Sequence, residues 1–220
     1  MLEVFHIEDP SATMPPLDGL QLINREVIVK YVRQLLEVDR KLTPFTILGL
    51  EKMVYTKIDI PQIGNTTLGG FVDRIDEVTL PDGSRRIRIV DYKTGSSRIK
   101  PIQDILAIFN PENIKNHSDY YLQTILYACI YSQTANSPVS PSLLFIQHAG
   151  TDQYDPTLKL GKDRITDINA VKADFMSNLS DLLTKIFNPN LPFTPTTDQN
   201  RCKSCPFFYL CTQESELVQV

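Results

Sequence analysis

Asp73, Asp76, Asp91 and Lys93 lie in "GGFVDRIDEVTLPDGSRRIRIVDYKTG", residues 69–95, where two strand-like runs flank a tight turn. Pro81, Asp82 and Gly83 suit a three-residue hairpin loop with Gly83 in the left-handed region. With that loop Leu80 faces Ser84, and Asp73 falls opposite Asp91 on the same face, Cβ atoms about 4.5–5.5 Å apart. Lys93, two residues on, shares that face, and Asp76 takes the other. Like charges paired across strands repel. A hard divalent cation removes the repulsion, because Mg2+ is commonly held by one or two carboxylates with waters and substrate phosphate completing its shell. A lysine alongside can orient the attacking water or neutralise charge building on a phosphoryl group. Two acids and a lysine on one metal form a phosphodiester-cleaving arrangement.

The elements that must hold these groups can be read from periodicity. Residues 20–42 place Ile23, Val27, Tyr31, Leu35 and Val38 at helical spacing, which predicts an amphipathic helix. "TPFTILGLEKMVYTKIDI" turns to β-branched and aromatic residues, and strands follow at 67–80 and 84–93. The stretch from Gly95 to Asn116 reads as irregular and Pro-bounded. "SDYYLQTILYACIYSQ" is a helix with Ser118 as N-cap and Asp119 in its first turn. "PSLLFIQHA" is a buried strand, and residues 167–187 form a last helix with Val171, Phe175, Leu179, Leu182, Leu183 and Ile186 inside. The order α-β-β-β-α-β predicts an α/β fold on a small mixed sheet flanked by helices.

Length and composition fit one domain: 220 residues, 42% hydrophobic, 22% charged. We expect a helical lead-in at 1–44, a core at 45–190 and a cysteine-containing tail at 191–220, the whole cut from a longer polypeptide. No apolar run reaches the ~18–20 residues of a membrane span, and the N-terminus lacks a signal-peptide pattern, which predicts a cytoplasmic protein with no membrane partner. The net charge of −4 argues against tight autonomous binding of nucleic acid. Basic residues cluster locally at Arg85, Arg86, Arg88, Lys93, Arg98 and Lys100, either as a phosphate-facing run or as a solvated strand edge.

"GGFVDRID" followed by "IVDYKTG" resembles the core motifs of the PD-(D/E)XK nuclease superfamily, in particular its RecB-like exonuclease branch. The resemblance implies a restriction-endonuclease-like core and a Mg2+- or Mn2+-dependent deoxyribonuclease. By it, Asp73, Asp91 and the backbone carbonyl of Tyr92 are metal ligands and Lys93 is the catalytic lysine. It also assigns a "QxxxY" pair to the next helix, here Gln123 and Tyr127, four apart on one helical face. Tyr120 and Tyr131 extend that stripe, whose alternative reading is core packing. Glu51 stands on a strand where this branch often carries a glutamate, and it either reaches the site or braces the sheet. The branch adds a His or Glu ligand from a helix before the first strand. Glu26 and Glu37 are candidates for it without a recognisable motif, and His6 lies early in the chain.

Cys202, Cys205 and Cys211, in "CKSCPFFYLC", resemble the late cysteines of the iron–sulfur clamp in AddB-type nucleases. A [4Fe–4S] cluster takes four thiolates. Cys129 reads as a core thiol, so the chain as given is expected to lack an intact cluster, the missing ligand lying elsewhere in a parent polypeptide or the cluster having been lost. Zinc is the rival, but none of His6, His117 and His148 is near the tail. The resemblance implies DNA, single-stranded or at ends, as partner, delivered by helicase-like segments or a helicase subunit. Two other readings stay open: a nuclease-like module that only binds DNA or scaffolds a repair protein, and a Mg2+-dependent phosphatase.

Overall fold

The computed structural model describes residues 17–61, 63–95, 101–151, 154–192, 194, 196, 199–203 and 205–211. Helix α1 (Gly19–Leu42) opens on a capping box in which Asp18 accepts from the Gln21 amide and Gln21 accepts from the Asp18 amide. Strands β1 (Phe45–Ile60), β2 (Gly64–Thr79) and β3 (Arg85–Lys93) form an antiparallel meander. Helix α2 is a single turn (Ile105–Ile108) followed by a 3-10 turn at Pro111–Asn116, so the stretch predicted as irregular is partly helical. Helix α3 (Ser118–Tyr131) crosses to strand β4 (Val139–Phe145), which pairs with β3 in parallel. A small β5–β6 ladder (Lys159–Leu160, Asp163–Arg164) leads to α4 (Lys172–Ile186), and α5 (Gln199–Lys203) begins the cysteine tail. The four-stranded sheet has the order β1-β2-β3-β4.

The hairpin closes as its turn chemistry predicts. The Leu80 amide donates to the Ser84 carbonyl at 2.8 Å, and Gly83 sits at φ 82°, a conformation costly for any residue with a Cβ. The register then brings Asp76 opposite Arg88 and Arg74 opposite Val90.

Two cores sandwich the sheet. On one face α3 and α4 press Ile125, Ala128, Phe175, Leu179 and Leu183 onto Val72, Ile75, Ile87 and Ile89. On the other, the C-terminal part of α1 sets Val38, with Tyr31 and Leu35, against Val90, Leu144 and Ile146. Each fully buried aliphatic or aromatic side chain contributes about 1.5–3 kcal/mol of apolar burial.

Ile23 and Val27 are exposed (62% and 40%), because only the last turns of α1 reach the sheet. Several expectations are corrected at the edges. Ile186 is exposed at the end of α4, past the last contact made by Leu183. The strand expected over "PSLLFIQHA" stops at Phe145, where a 3-10 turn (Ile146–His148) takes over. Ser118 is the first residue of α3 and buried, and the cap position belongs to His117, which reaches a left-handed φ of 61°. Among the described residues no helix is long and apolar enough to cross a membrane.

Candidate active site

Asp73 and Asp91 sit where the β2–β3 ladder gives out. Backbone pairing runs to Arg74 opposite Val90 and stops. The next rung is made by a side chain: Asp73 Oδ2 accepts from the Tyr92 amide at 2.7 Å. The pleat also changes phase here. Val72 and Ile75 belong to the same core under α3, while Arg74, between them, reaches Asp39 of α1 on the other side. Across the β1–β2 ladder Leu50 pairs with Arg74 and Lys52 with Val72, leaving Glu51 at φ 45° in the intervening place. A non-glycine residue there stores roughly 1–3 kcal/mol of backbone strain.

Asp91 is 5% exposed. Burial pushes its carboxyl above the usual carboxylate range, with neighbouring Asp73 adding to the shift and Lys93 opposing it. Lys93 Nζ stands 2.6 Å from Asp91 Oδ2, a mostly buried ion pair. The same ammonium donates to Gln123 Oε1 at 3.4 Å and lies 4.3 Å from the centre of the Tyr120 ring. Gln123 Nε2 in turn donates to the Tyr127 hydroxyl at 3.4 Å. The i,i+4 spacing on α3 thus carries a polar chain from the sheet carboxylates along the helix face. Gly70 makes room for it, since any Cβ there would meet the Tyr127 hydroxyl.

The outer face of the site is fastened by buried charges. Arg74 Nη1 donates to Asp39 Oδ1 and Oδ2 at 2.9 and 2.8 Å and to the Tyr92 hydroxyl at 3.3 Å. Its Nε is 2.8 Å from Asp76 Oδ2, and its guanidinium lies 4.7 Å from the Phe45 ring centre. Asp76, fully buried, takes both arms of Arg88 at 2.7 Å. Burial alone would lower Arg74, but Asp39, Tyr92 and Asp76 outweigh it and raise its pKa.

The structure therefore gathers Asp73, Asp91, Lys93, Gln123 and Tyr127, with the Tyr92 backbone between the two strands. Glu51 is exposed and not part of any carboxylate trio: among the described residues no three His, Cys, Asp or Glu side chains converge to hold a metal. Glu26 lies beside Arg25 and Glu37 pairs with Arg40, both on α1. His6, Arg98 and Lys100 lie outside the described residues. The arginine run divides: Arg88 is a buried partner of Asp76, Arg85 an exposed partner of Glu77, and Arg86 half-buried. Tyr131 meets Lys52 rather than the site, its ring centre 5.5 Å from the ammonium. Asp39 and Arg74 escaped the sequence reading. The available signal was the arginine set between two acids in "VDRID", on the strand face turned away from Asp73.

A divalent cation fits this donor set. It would counter the Asp73–Asp91 repulsion and the burial that together push the Asp91 carboxyl up, which Lys93 only partly offsets. An iron–sulfur cluster does not fit the described residues. Cys202, Cys205 and Cys211 are three thiols, and Cys129 is 1% exposed, its thiol pushed up to about 12 by burial.

The family model of the PD-(D/E)XK nuclease superfamily matches residues 3–212. The chain belongs to that superfamily. No curated protein matches it. The mixed four-stranded sheet flanked by helices is the restriction-endonuclease-like core of these nucleases. Membership makes the chain a nuclease of a group that generally uses divalent metals and acts on DNA.

Proposed function

We propose that this superfamily member is a RecB-like, Mg2+- or Mn2+-dependent deoxyribonuclease acting exonucleolytically in DNA repair or recombination, within or beside a helicase. The observation that carries the reading is the joint placement of Asp73, Asp91 and Lys93 against Gln123 and Tyr127. Asp73, Asp91 and the Tyr92 carbonyl are the residues that would hold the cation, which supplies charge stabilisation to the phosphoryl group and a more acidic water. Lys93 positions the attacking water and offsets negative charge on the phosphate as in-line displacement releases the 3′-oxygen and leaves a 5′-phosphate. Gln123 and Tyr120 fix the lysine in place, and Tyr127 fixes Gln123. Delivery of DNA ends by a motor is compatible with the chain's net charge of −4. The cysteine tail enters this reading only through a fourth thiolate supplied from outside the described residues, and no catalytic step depends on it.

The competing reading is a catalytically weak module that binds DNA as a scaffold. It is favoured by the convergence of only two side-chain carboxylates among the described residues. Labelled single-stranded DNA incubated with the chain and Mn2+, beside Lys93→Ala, separates the two. Cleavage by the parent and not by the variant supports catalysis, and no cleavage by either, with binding retained, supports the scaffold.

A further inference from the structure

We propose that Arg74 is a positioning residue for the Asp73–Asp91 pair, clamped from helix α1 by Asp39. This rests on the metal-site reading above and adds a component that the sequence motifs do not assign.

Tyr92 is held at two points by the neighbouring strand β2. Its amide donates to Asp73 Oδ2 at 2.7 Å, and its hydroxyl receives Arg74 Nη1 at 3.3 Å. Asp73 and Arg74 are consecutive, so one short stretch of β2 fixes both the backbone and the ring of the residue that follows Asp91. Regular pairing has already ended at Arg74 opposite Val90. β4 goes on pairing with β3 through Lys93 opposite Phe145, and β1 pairs with β2 on either side of Asp73. Across the β2–β3 seam itself no further backbone rung links Asp73 to Asp91, and side-chain contacts do this instead. Asp39 in turn sets where Arg74 lies, through two contacts at 2.9 and 2.8 Å from the last full turn of α1.

Stability alone is a poor account of this arrangement. Buried ion pairs seldom outperform apolar side chains of the same volume. Arg74 Nη2 is also buried with no acceptor, a standing cost for a site kept only for strength. What the charges provide is direction. Asp39, Asp76 and the Tyr92 hydroxyl aim the guanidinium, and Phe45 supports its flat face. Groups that orient metal-binding residues in this way typically change metal affinity about 10- to 100-fold when altered.

The test is Mn2+ binding to the metal-free full chain, read from the electron paramagnetic resonance signal of free Mn2+, with circular dichroism as a check on folding. Asp39→Asn and Arg74→Lys should each weaken Mn2+ binding about tenfold or more. Asp39→Glu should restore most of it. Arg40→Gln, in the exposed pair one residue along, should bind like the parent. The double variant Asp39→Asn/Arg74→Lys should lose no more than Arg74→Lys alone, because both changes break the same clamp. If Arg74→Lys does not fold, Asp39→Asn decides alone, its side chain being 26% exposed and at the edge of the core. Parent-like affinity in a folded Asp39→Asn chain overturns the inference while leaving the metal site standing. Absence of Mn2+ binding by the parent removes the metal site itself, and the inference with it.

Discussion

The Tyr92 amide donates to Asp73 Oδ2 at 2.7 Å, so a carboxylate continues the hydrogen-bond ladder at the point where the backbones of β2 and β3 stop pairing. One oxygen of Asp73 is thereby spent on the sheet, and the other is left for the site. The bond makes Asp73 a structural rung of the sheet, in addition to the ligand role proposed for it.

Replacing Asp73 with Asn keeps an acceptor for the Tyr92 amide but removes the charge. The parent should gain stability on adding Mn2+, about 2.7 kcal/mol at a hundredfold excess over Kd. Asp73→Asn should gain little while unfolding normally without metal. Differential scanning fluorimetry with and without Mn2+ measures this, and an equal metal-induced shift in both proteins would remove Asp73 from the ligand set.

Gly70→Ala places a methyl group against the Tyr127 hydroxyl. Overpacking of this kind costs about 1–3 kcal/mol. Urea unfolding should show that loss, and Tyr127→Phe in the same background should recover part of it by removing the clashing oxygen. A Gly70→Ala protein as stable as the parent would contradict the close approach.

Asp76→Ala leaves Arg88 and Arg74 buried without their shared carboxylate. Breaking such a pair costs about 3–5 kcal/mol. Glu77→Ala, which removes the half-buried partner of the exposed Arg85 at 3.3 Å, should cost about 1 kcal/mol or less. Chemical denaturation of the two variants side by side tests the contrast.

Cys129 should be inert in the native protein. Its thiol is buried and pushed up to about 12, with Lys172 only partly opposing the effect of burial. A chromogenic disulfide reagent near neutral pH should modify Cys202, Cys205 and Cys211 first and reach Cys129 only on unfolding. Rapid native labelling of Cys129, mapped by mass spectrometry, would count against the packing of α3.

Asp155 gives a pH dependence of defined sign. Burial raises its carboxyl, but the Thr157 amide and hydroxyl and the Arg164 guanidinium outweigh this and hold it below the usual range. A depressed folded value means that the contribution to stability is full above the unfolded carboxylate value of about 3.9 and is lost as pH falls through the folded one. Asp155→Asn should therefore narrow its stability gap to the parent from about pH 4 downward. A gap that stays constant or widens on acidification would reverse the sign.

Much of the site was written into local sequence. "PDG" fixed the hairpin register, with Gly83 at φ 82°, and that register put Arg74 opposite Val90 and Asp76 opposite Arg88. The four-residue spacing of Gln123 and Tyr127 was enough to place both on the helix face that meets Lys93. These features depend on neighbours within a turn or along a strand, where backbone geometry leaves few choices. The tertiary structure alone decided the rest. Asp39, thirty-five residues from Arg74, became its partner because α1 docks by its last turns, and the same docking left Ile23 and Val27 in solvent. Glu51 took a left-handed turn that no periodicity announces, and Gly70 was required by a tyrosine on a helix far along the chain. Which charge neutralises a buried guanidinium, and which side chain fills the space above a glycine, is set by how elements pack, and strand or helix periods carry no record of that.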